Sequence, residues 1–154
     1  SSTLNDTIPI QEAAYARAGI KVKFNIISSG YYSTVMNPAK QSDMTNSGWG
    51  ADWANASTVI PELFASFGGF NLSQNTNDPA YKAFEDKVNI AMKTTDRKKQ
   101  ADMWKALDKE AMKNFWVLPT TFGKAQEIWG SGLGGVFFWV PQGNPAYGKI
   151  WVKK

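Results

Sequence analysis

The stretch whose reading decides the fold is Ile20-Lys21-Val22-Lys23-Phe24-Asn25-Ile26-Ile27. Ile20, Val22, Phe24 and Ile26 fall on one face, and Lys21, Lys23 and Asn25 on the other. That period-two alternation predicts a half-buried strand. Directly before it, Asn5 to Arg17 reads as a helix, with Asn5 or Asp6 capping, Pro9 tolerated in the first turn and Gly19 as the stop. A helix feeding a strand, repeated with variations downstream, predicts an α/β fold rather than an all-β one.

Working outward, Tyr31 to Met36 is a short helical candidate ended by Asn37-Pro38. Met44 to Gly48 reads as a short strand of small residues that runs into Trp49-Gly50-Ala51-Asp52-Trp53. Val59 to Phe67 predicts a helix with Ser57 or Thr58 near its cap and Gly68-Gly69 at its end. Residues 70–78 are a polar loop, and Asp78-Pro79 then supplies a cap followed by proline at the first helical position. Tyr81, Phe84, Val88 and Ala91 form an apolar stripe at helical spacing. A second helix starts near Thr95-Asp96, with Trp104, Leu107, Ala111 and Phe115 on its buried side. After Asn114 the texture is strand and turn: Trp116–Phe122, Gln126–Trp129, Val136–Val140 and Lys149–Val152, punctuated by Pro119, Gly123, Gly130, Gly132 and Pro141.

Composition narrows the chemistry. The chain has 154 residues, the usual size of one domain, and no Cys or His. Disulfides, thiolate nucleophiles, Cys-based zinc sites and imidazole general bases are therefore excluded. The net charge of +4 comes from 15 Lys and 2 Arg against 13 acids. Residues 78–113 hold nine of the basic residues but also seven acids, an interleaving that reads as solvated helix faces rather than a nucleic-acid footprint. No apolar run reaches the roughly 18–20 residues of a membrane span, and the first residues do not resemble a signal peptide.

Several motifs invite a function and resolve to structure. Gly130-Ser131-Gly132-Leu133-Gly134-Gly135 fits G-x-G-x-x-G, but the β-type run Val136–Val140 follows where a dinucleotide site needs a helix, so a turn or bulge is expected. Asn5, Asn55 and Asn71 head N-x-[ST] sequons of the kind that arise by chance. The carboxylates Glu85/Asp86 and Asp108/Glu110 alternate with Lys on helix faces, where solvated pairing is the simpler role. Trp104, Trp116, Trp139 and Trp151 are expected to pack in the core.

Gly48-Trp49-Gly50-Ala51-Asp52-Trp53 differs, because it lies where a strand ends and the chain turns toward a helix, the edge at which open α/β sheets bind ligands. Gly48 and Gly50 let a ligand approach the backbone. Asp52 can accept a charge-assisted hydrogen bond from an ammonium, and Trp49 or Trp53 can add an apolar wall or a cation–π contact. From spacing alone the structural role prevails: Asp52 caps a turn and both indoles fill the core.

A wider pattern changes that weighting. Ala18-Gly19-Ile20-Lys21-Val22, then Asp43-Met44 leading to Gly48-Trp49-Gly50-Ala51-Asp52-Trp53, then Asn77-Asp78-Pro79-Ala80-Tyr81, the helix with Asp96-Arg97-Lys98-Lys99-Gln100, and the strand ending near Leu118-Pro119-Thr120 follow one another in order. That order resembles the oligopeptide/dipeptide-type (family 5) extracellular solute-binding proteins of bacterial ABC importers, over about Ile10 to Thr121. The resemblance implies one lobe of a type-2 periplasmic-binding-protein-like fold, a mixed sheet flanked by helices. Residues 1–154 would be a single carboxyl-terminal lobe whose amino-terminal lobe is absent, and 147–154 would belong with that absent lobe.

By the same resemblance, the protein is no enzyme and carries no catalytic residue, cofactor or metal. It captures a peptide or other small solute outside the cytoplasm, in the periplasm or anchored by lipid at the outer face of the cell membrane, and presents it to an ABC permease. Its partners are the solute, the permease and the other lobe, with no nucleic acid. Gly48, Trp49, Gly50, Asp52 and Trp53 are the implied ligand-binding residues, with Asp52 pairing with the ligand's amino terminus. Trp53-Ala54-Asn55 departs from the Tyr and proline-containing turn that many members carry there. The alternatives are a carbohydrate-binding module, which the Trp-, Tyr-, Asn- and Gly-rich loops would suit, or a sugar-specific member of the same receptors.

Overall fold

The computed structural model describes residues 2–46, 48–73, 75–120, 123–140 and 143–154, with side chains from Asn5 onward. The chain divides into two compact units, residues 1–45 and 46–154.

In the first unit, helix α1 (Ser2–Arg17) begins earlier than its cap signals predict, so Asn5 and Asp6 lie inside it and Pro9 sits in its middle. Proline there removes one backbone hydrogen bond, at a cost of about 3 kcal/mol. The end of the helix is as the sequence predicts. Gly19 adopts a left-handed φ of 76°, its N–H reaches Ala16 O and the Ile20 N–H reaches Tyr15 O, both at 3.0 Å. These two bonds form a Schellman cap, which glycine allows without steric cost.

The alternating stretch Ile20–Ile27 is not in a sheet. It has no ladder partner among the described residues, and Ile20 and Ile26 are exposed. Alternation specifies which face a strand would bury, but pairing requires a second strand within about 5 Å. Helix α2 (Tyr31–Val35) follows from Gly30 and buries Val35, the one buried residue of this unit among those described.

The core belongs to the second unit. Helices α4 (Tyr81–Lys93) and α5 (Arg97–Lys113) form an antiparallel hairpin on which α3 (Ile60–Phe64) packs. Ile60, Phe64, Phe84, Val88, Ala91, Trp104, Leu107 and Ala111 make one buried cluster, so both predicted stripes are buried with a single exception. A fully buried side chain of this kind contributes roughly 1.5–3 kcal/mol. Helix α5 starts where the sequence predicts, and Asp96 caps it by accepting the Lys99 N–H at 2.9 Å. Asp78 accepts the Ala80 N–H at 2.8 Å, closing a turn two residues ahead of α4 instead of capping it. Lys87 and Glu110 join the two helices at 2.7 Å, a half-exposed pair worth at most about 1 kcal/mol.

The exception is Phe115. Helix α5 ends at Lys113, and Phe115 takes a left-handed φ of 57°. Its N–H bonds Met112 O, while the Trp116 N–H bonds Ala111 O, the same cap that Gly19 makes. The reversal turns Phe115 into solvent and swings Trp116 inward, against Phe84 at 4.9 Å and 83°.

Helix α3 is shorter than predicted. It stops at Ala65, whose backbone is extended, and Gly68 then passes against the carbonyls of Pro61 and Glu62. The polar loop after it is anchored from inside: buried Asn75 donates to Phe64 O at 3.0 Å.

Beyond Trp116 the predicted strands are mostly unpaired. Residues 117–120 and 123–130 form no ladder, and Thr121, Phe122, Pro141 and Gln142 lie outside the described residues. Among the described residues four two-residue strands remain: β1 (Leu133–Gly134) pairs with β4 (Trp151–Val152), and β2 (Phe138–Trp139) with β3 (Asn144–Pro145), both antiparallel. These short ladders enclose no second core among the described residues. Trp139 and Trp151 are exposed rather than packed in a core.

Candidate functional site

Residues 48–58 form a loop drawn closed on Thr58, which is 2% exposed and ends the 3-10 turn Ala56–Thr58. The Trp49 indole N–H donates to Thr58 O at 2.7 Å. The Thr58 hydroxyl donates to Asp52 Oδ2 at 2.6 Å and accepts the Asp52 N–H at 3.2 Å. The Trp53 indole N–H donates to Ser57 Oγ at 3.1 Å. Asn55 caps the turn by accepting the Ser57 N–H at 2.9 Å, because a short polar side chain can mimic a backbone turn.

A polar contact fastens the loop to the helical core. Asn55 Nδ2 donates to Gln100 Oε1 at 2.8 Å, and Gln100, itself buried, donates to Ala91 O at 3.0 Å. Trp49 also leans on Phe70, with ring centroids 5.2 Å apart.

The five residues singled out from sequence therefore share one loop, in a mixed state. Asp52 does hold a turn through Thr58, yet its side chain lies at the surface. The indoles do not fill the core: Trp49 is 39% and Trp53 54% exposed. With both indole N–H groups used inside the loop, ring carbon is what remains to meet a ligand. A methyl group added at Gly48 or Gly50 would meet nothing within 4 Å, so no packing among the described residues demands glycine there. The strand expected over Met44–Gly48 is absent from its described residues, and Ser47 lies outside them.

Sequence reasoning named Thr58 only as a helix cap and missed Gln100 and Phe70 as supports of this loop. The Asn55-x-Ser57 spacing carried a turn signal that could have been read; nothing local marks Gln100, which lies 45 positions from Asn55.

The other motifs have structural occupations. Gly130–Leu133 is a turn, closed by the Leu133 N–H on Gly130 O. At Gly134 an added Cβ would strike the Trp151 indole, and Gly135 has φ 70°. The glycine run thus serves a close indole contact and a turn, and residues 136–139 directly after it are not helical. Glu85 accepts from the Ser66 hydroxyl at 2.6 Å, the Ser66 N–H at 2.9 Å and the Tyr81 hydroxyl at 2.8 Å. The Ser66 hydroxyl is the main reason its carboxyl is held below the ordinary value, against an opposing push from burial. Lys82 pairs with Asp86 at 2.6 Å. The amides of Asn55 and Asn71 are engaged in internal hydrogen bonds. Two open depressions of about 520 and 380 Å³ lie along α5, and loop 48–58 lines neither.

No helix of the described residues is long and apolar enough to cross a membrane. Comparison with protein-family models, curated proteins and solved structures finds no match. The functional reading therefore rests on the loop itself and on the sequence resemblance.

Proposed function

We propose that this chain is one ligand-facing wall of an extracytoplasmic solute receptor serving an ABC importer, with Gly48, Trp49, Gly50, Asp52 and Trp53 meeting the solute. The observation that carries the reading is the Asp52 carboxylate, tied at one oxygen to a buried hydroxyl while its side chain stays at the surface, on a loop that also exposes two indoles. A cationic head beside an apolar body suits such a surface: the carboxylate takes the charge and the rings take the body. A short peptide with a free amino terminus fits that description.

The alternating stretch Ile20–Ile27, without a ladder partner among the described residues, and the exposed apolar residues described within 117–152 give further support. Strand-patterned segments left unpaired are what a lobe presents when its neighbouring strands come from elsewhere. On this reading the cleft closes by hinge motion and gathers affinity from many small contacts, without chemistry on the solute.

Titration of the isotopically labelled chain with trialanine, followed by NMR, tests the proposal. The expected result is movement of the Trp49 and Trp53 indole signals and the Asp52 amide at millimolar ligand, lost when the peptide amine is acetylated. Unmoved signals would overturn it. Movement with maltotriose but not trialanine would transfer the reading to a sugar-specific receptor. Sub-micromolar affinity would refute the idea that this chain supplies only one wall.

A further inference from the structure

Thr58 makes three hydrogen bonds to two residues of the loop, Trp49 and Asp52. Its carbonyl holds the Trp49 indole, its hydroxyl proton goes to Asp52 Oδ2, and its hydroxyl oxygen accepts the Asp52 N–H. It does so from a buried position immediately ahead of Val59 and the core residue Ile60. A β-branched side chain is stiff at χ1, so the hydroxyl direction is set by the backbone of the turn rather than by solvent. The turn is set in turn by the Asn55 cap and the Asn55–Gln100 bond.

We propose that Thr58 is the positioning residue of this site: its hydroxyl fixes the rotamer of Asp52 and so aims the carboxylate at an incoming cationic group. This deepens the receptor reading and, for its ligand-binding consequence, rests on it. A surface aspartate left alone samples several rotamers, and a ligand must then order it on binding. With Oδ2 held by Thr58, that ordering is already done. The same contact leaves the other oxygen as the acceptor that a ligand ammonium can use. Thr58 touches no ligand in this scheme; it acts through Asp52.

The threonine is not explained by packing alone. Valine has nearly the same shape and would fill the same buried position without bringing a hydroxyl that needs a partner. What valine cannot supply is the bond to the carboxylate.

The test compares the wild-type chain with Thr58→Val and Thr58→Ser by NMR. In wild type, the Hα–Hβ couplings of Asp52 should report one rotamer, and the Thr58 hydroxyl proton should be visible, slow to exchange and close to the Asp52 β protons. Thr58→Val should average the couplings, and Thr58→Ser should restore them. The Trp49 indole N–H should remain hydrogen-bonded in all three, since the carbonyl at 58 is retained. A single unchanged Asp52 rotamer in Thr58→Val would overturn the proposal. If that variant does not fold, a wild-type spectrum without the hydroxyl–Asp52 proximity overturns it equally.

Trialanine binding provides the second arm. Wild-type binding weakened roughly tenfold by Thr58→Val, as expected for losing a hydrogen bond to a charged group, supports positioning. Binding left unchanged by Thr58→Val opposes it. A wild-type chain that holds one Asp52 rotamer but ignores trialanine would sink the receptor reading while leaving the rotamer result to decide the role of Thr58.

Discussion

The Trp116 indole donates to Asp78 Oδ2 at 2.9 Å, joining the chain just after α5 to the turn just before α4. The open ends of the helical hairpin are thereby tied across 38 positions of sequence. The same indole packs on Phe84, Tyr81 and Phe64. One side chain thus closes the core and satisfies a polar group at its edge.

The hydrogen bonds that Asp78 accepts make stability depend on acid. The Ala80 N–H first, and the Trp116 indole second, hold the Asp78 carboxyl below its ordinary value, against a smaller opposing effect of burial. Glu85 is depressed as well, chiefly by the Ser66 hydroxyl. For a depressed carboxyl the stabilisation is fully present above the unfolded-state pKa and is lost as pH falls through the folded-state value. Urea unfolding should therefore show stability falling below the ordinary carboxylate range. Asp78→Asn should flatten that acid limb; an unchanged limb would show that Asp78 does not contribute to it.

Phe115→Gly should stabilise the protein by about 1 kcal/mol. A non-glycine residue in the left-handed region costs roughly 1–2 kcal/mol, partly offset by glycine's greater freedom in the unfolded chain. Phe115 is 92% exposed, so little burial is lost with the ring. A raised Tm is the readout, and a lowered Tm would mean that the ring makes a contact its exposure does not show.

The glycines divide into two groups. At Gly68 an added Cβ would come within 2.6 Å of Glu62 O, and backbone cannot step aside as a flexible side chain would. Gly68→Ala should cost about 1–3 kcal/mol. Gly48→Ala and Gly50→Ala face open space and should stay within about 0.5 kcal/mol of wild type. If these last two nevertheless weaken trialanine binding, close ligand approach is the reason for glycine in the loop.

Gln100→Leu should cost about 1–3 kcal/mol, since it strips the Asn55 amide and the Ala91 carbonyl of a partner in a part-buried place. The loss should be accompanied by faster hydrogen exchange in residues 49–58. Exchange that speeds up equally along α4 and α5 would indicate general destabilisation instead.

Lys placed at Ile20 or Ile26 should leave stability nearly unchanged, because both side chains are already exposed. Solubility should rise as the apolar alternation is broken. A large loss of stability would mean that this stretch is packed in solution.

What could be read from the sequence was local. The stripes Tyr81/Phe84/Val88/Ala91 and Trp104/Leu107/Ala111 predict two helices and their buried faces, because spacing along a helix sets its face without reference to anything else. The Gly19 stop and the helix start near Thr95-Asp96 are equally local, each held by backbone or side-chain hydrogen bonds within a few residues. Phe115 marks the limit of that logic. Its spacing continued the stripe, but the chain reversed one residue too soon, with a left-handed residue that was not glycine.

Tertiary structure decided the rest, since pairing and anchoring depend on groups far apart in the chain. Ile20–Ile27 has the alternation of a strand but no ladder partner among the described residues, and alternation cannot provide one. The sequence by itself placed Gly48, Trp49, Gly50, Asp52 and Trp53 together as a candidate loop, with spacing favouring capping for Asp52 and the family resemblance favouring presentation. In the folded chain the Thr58 hydroxyl does the first while surface exposure permits the second. Gln100 reaches Asn55 only because the helical hairpin brings the start of α5 beside the loop, a contact written in no local motif.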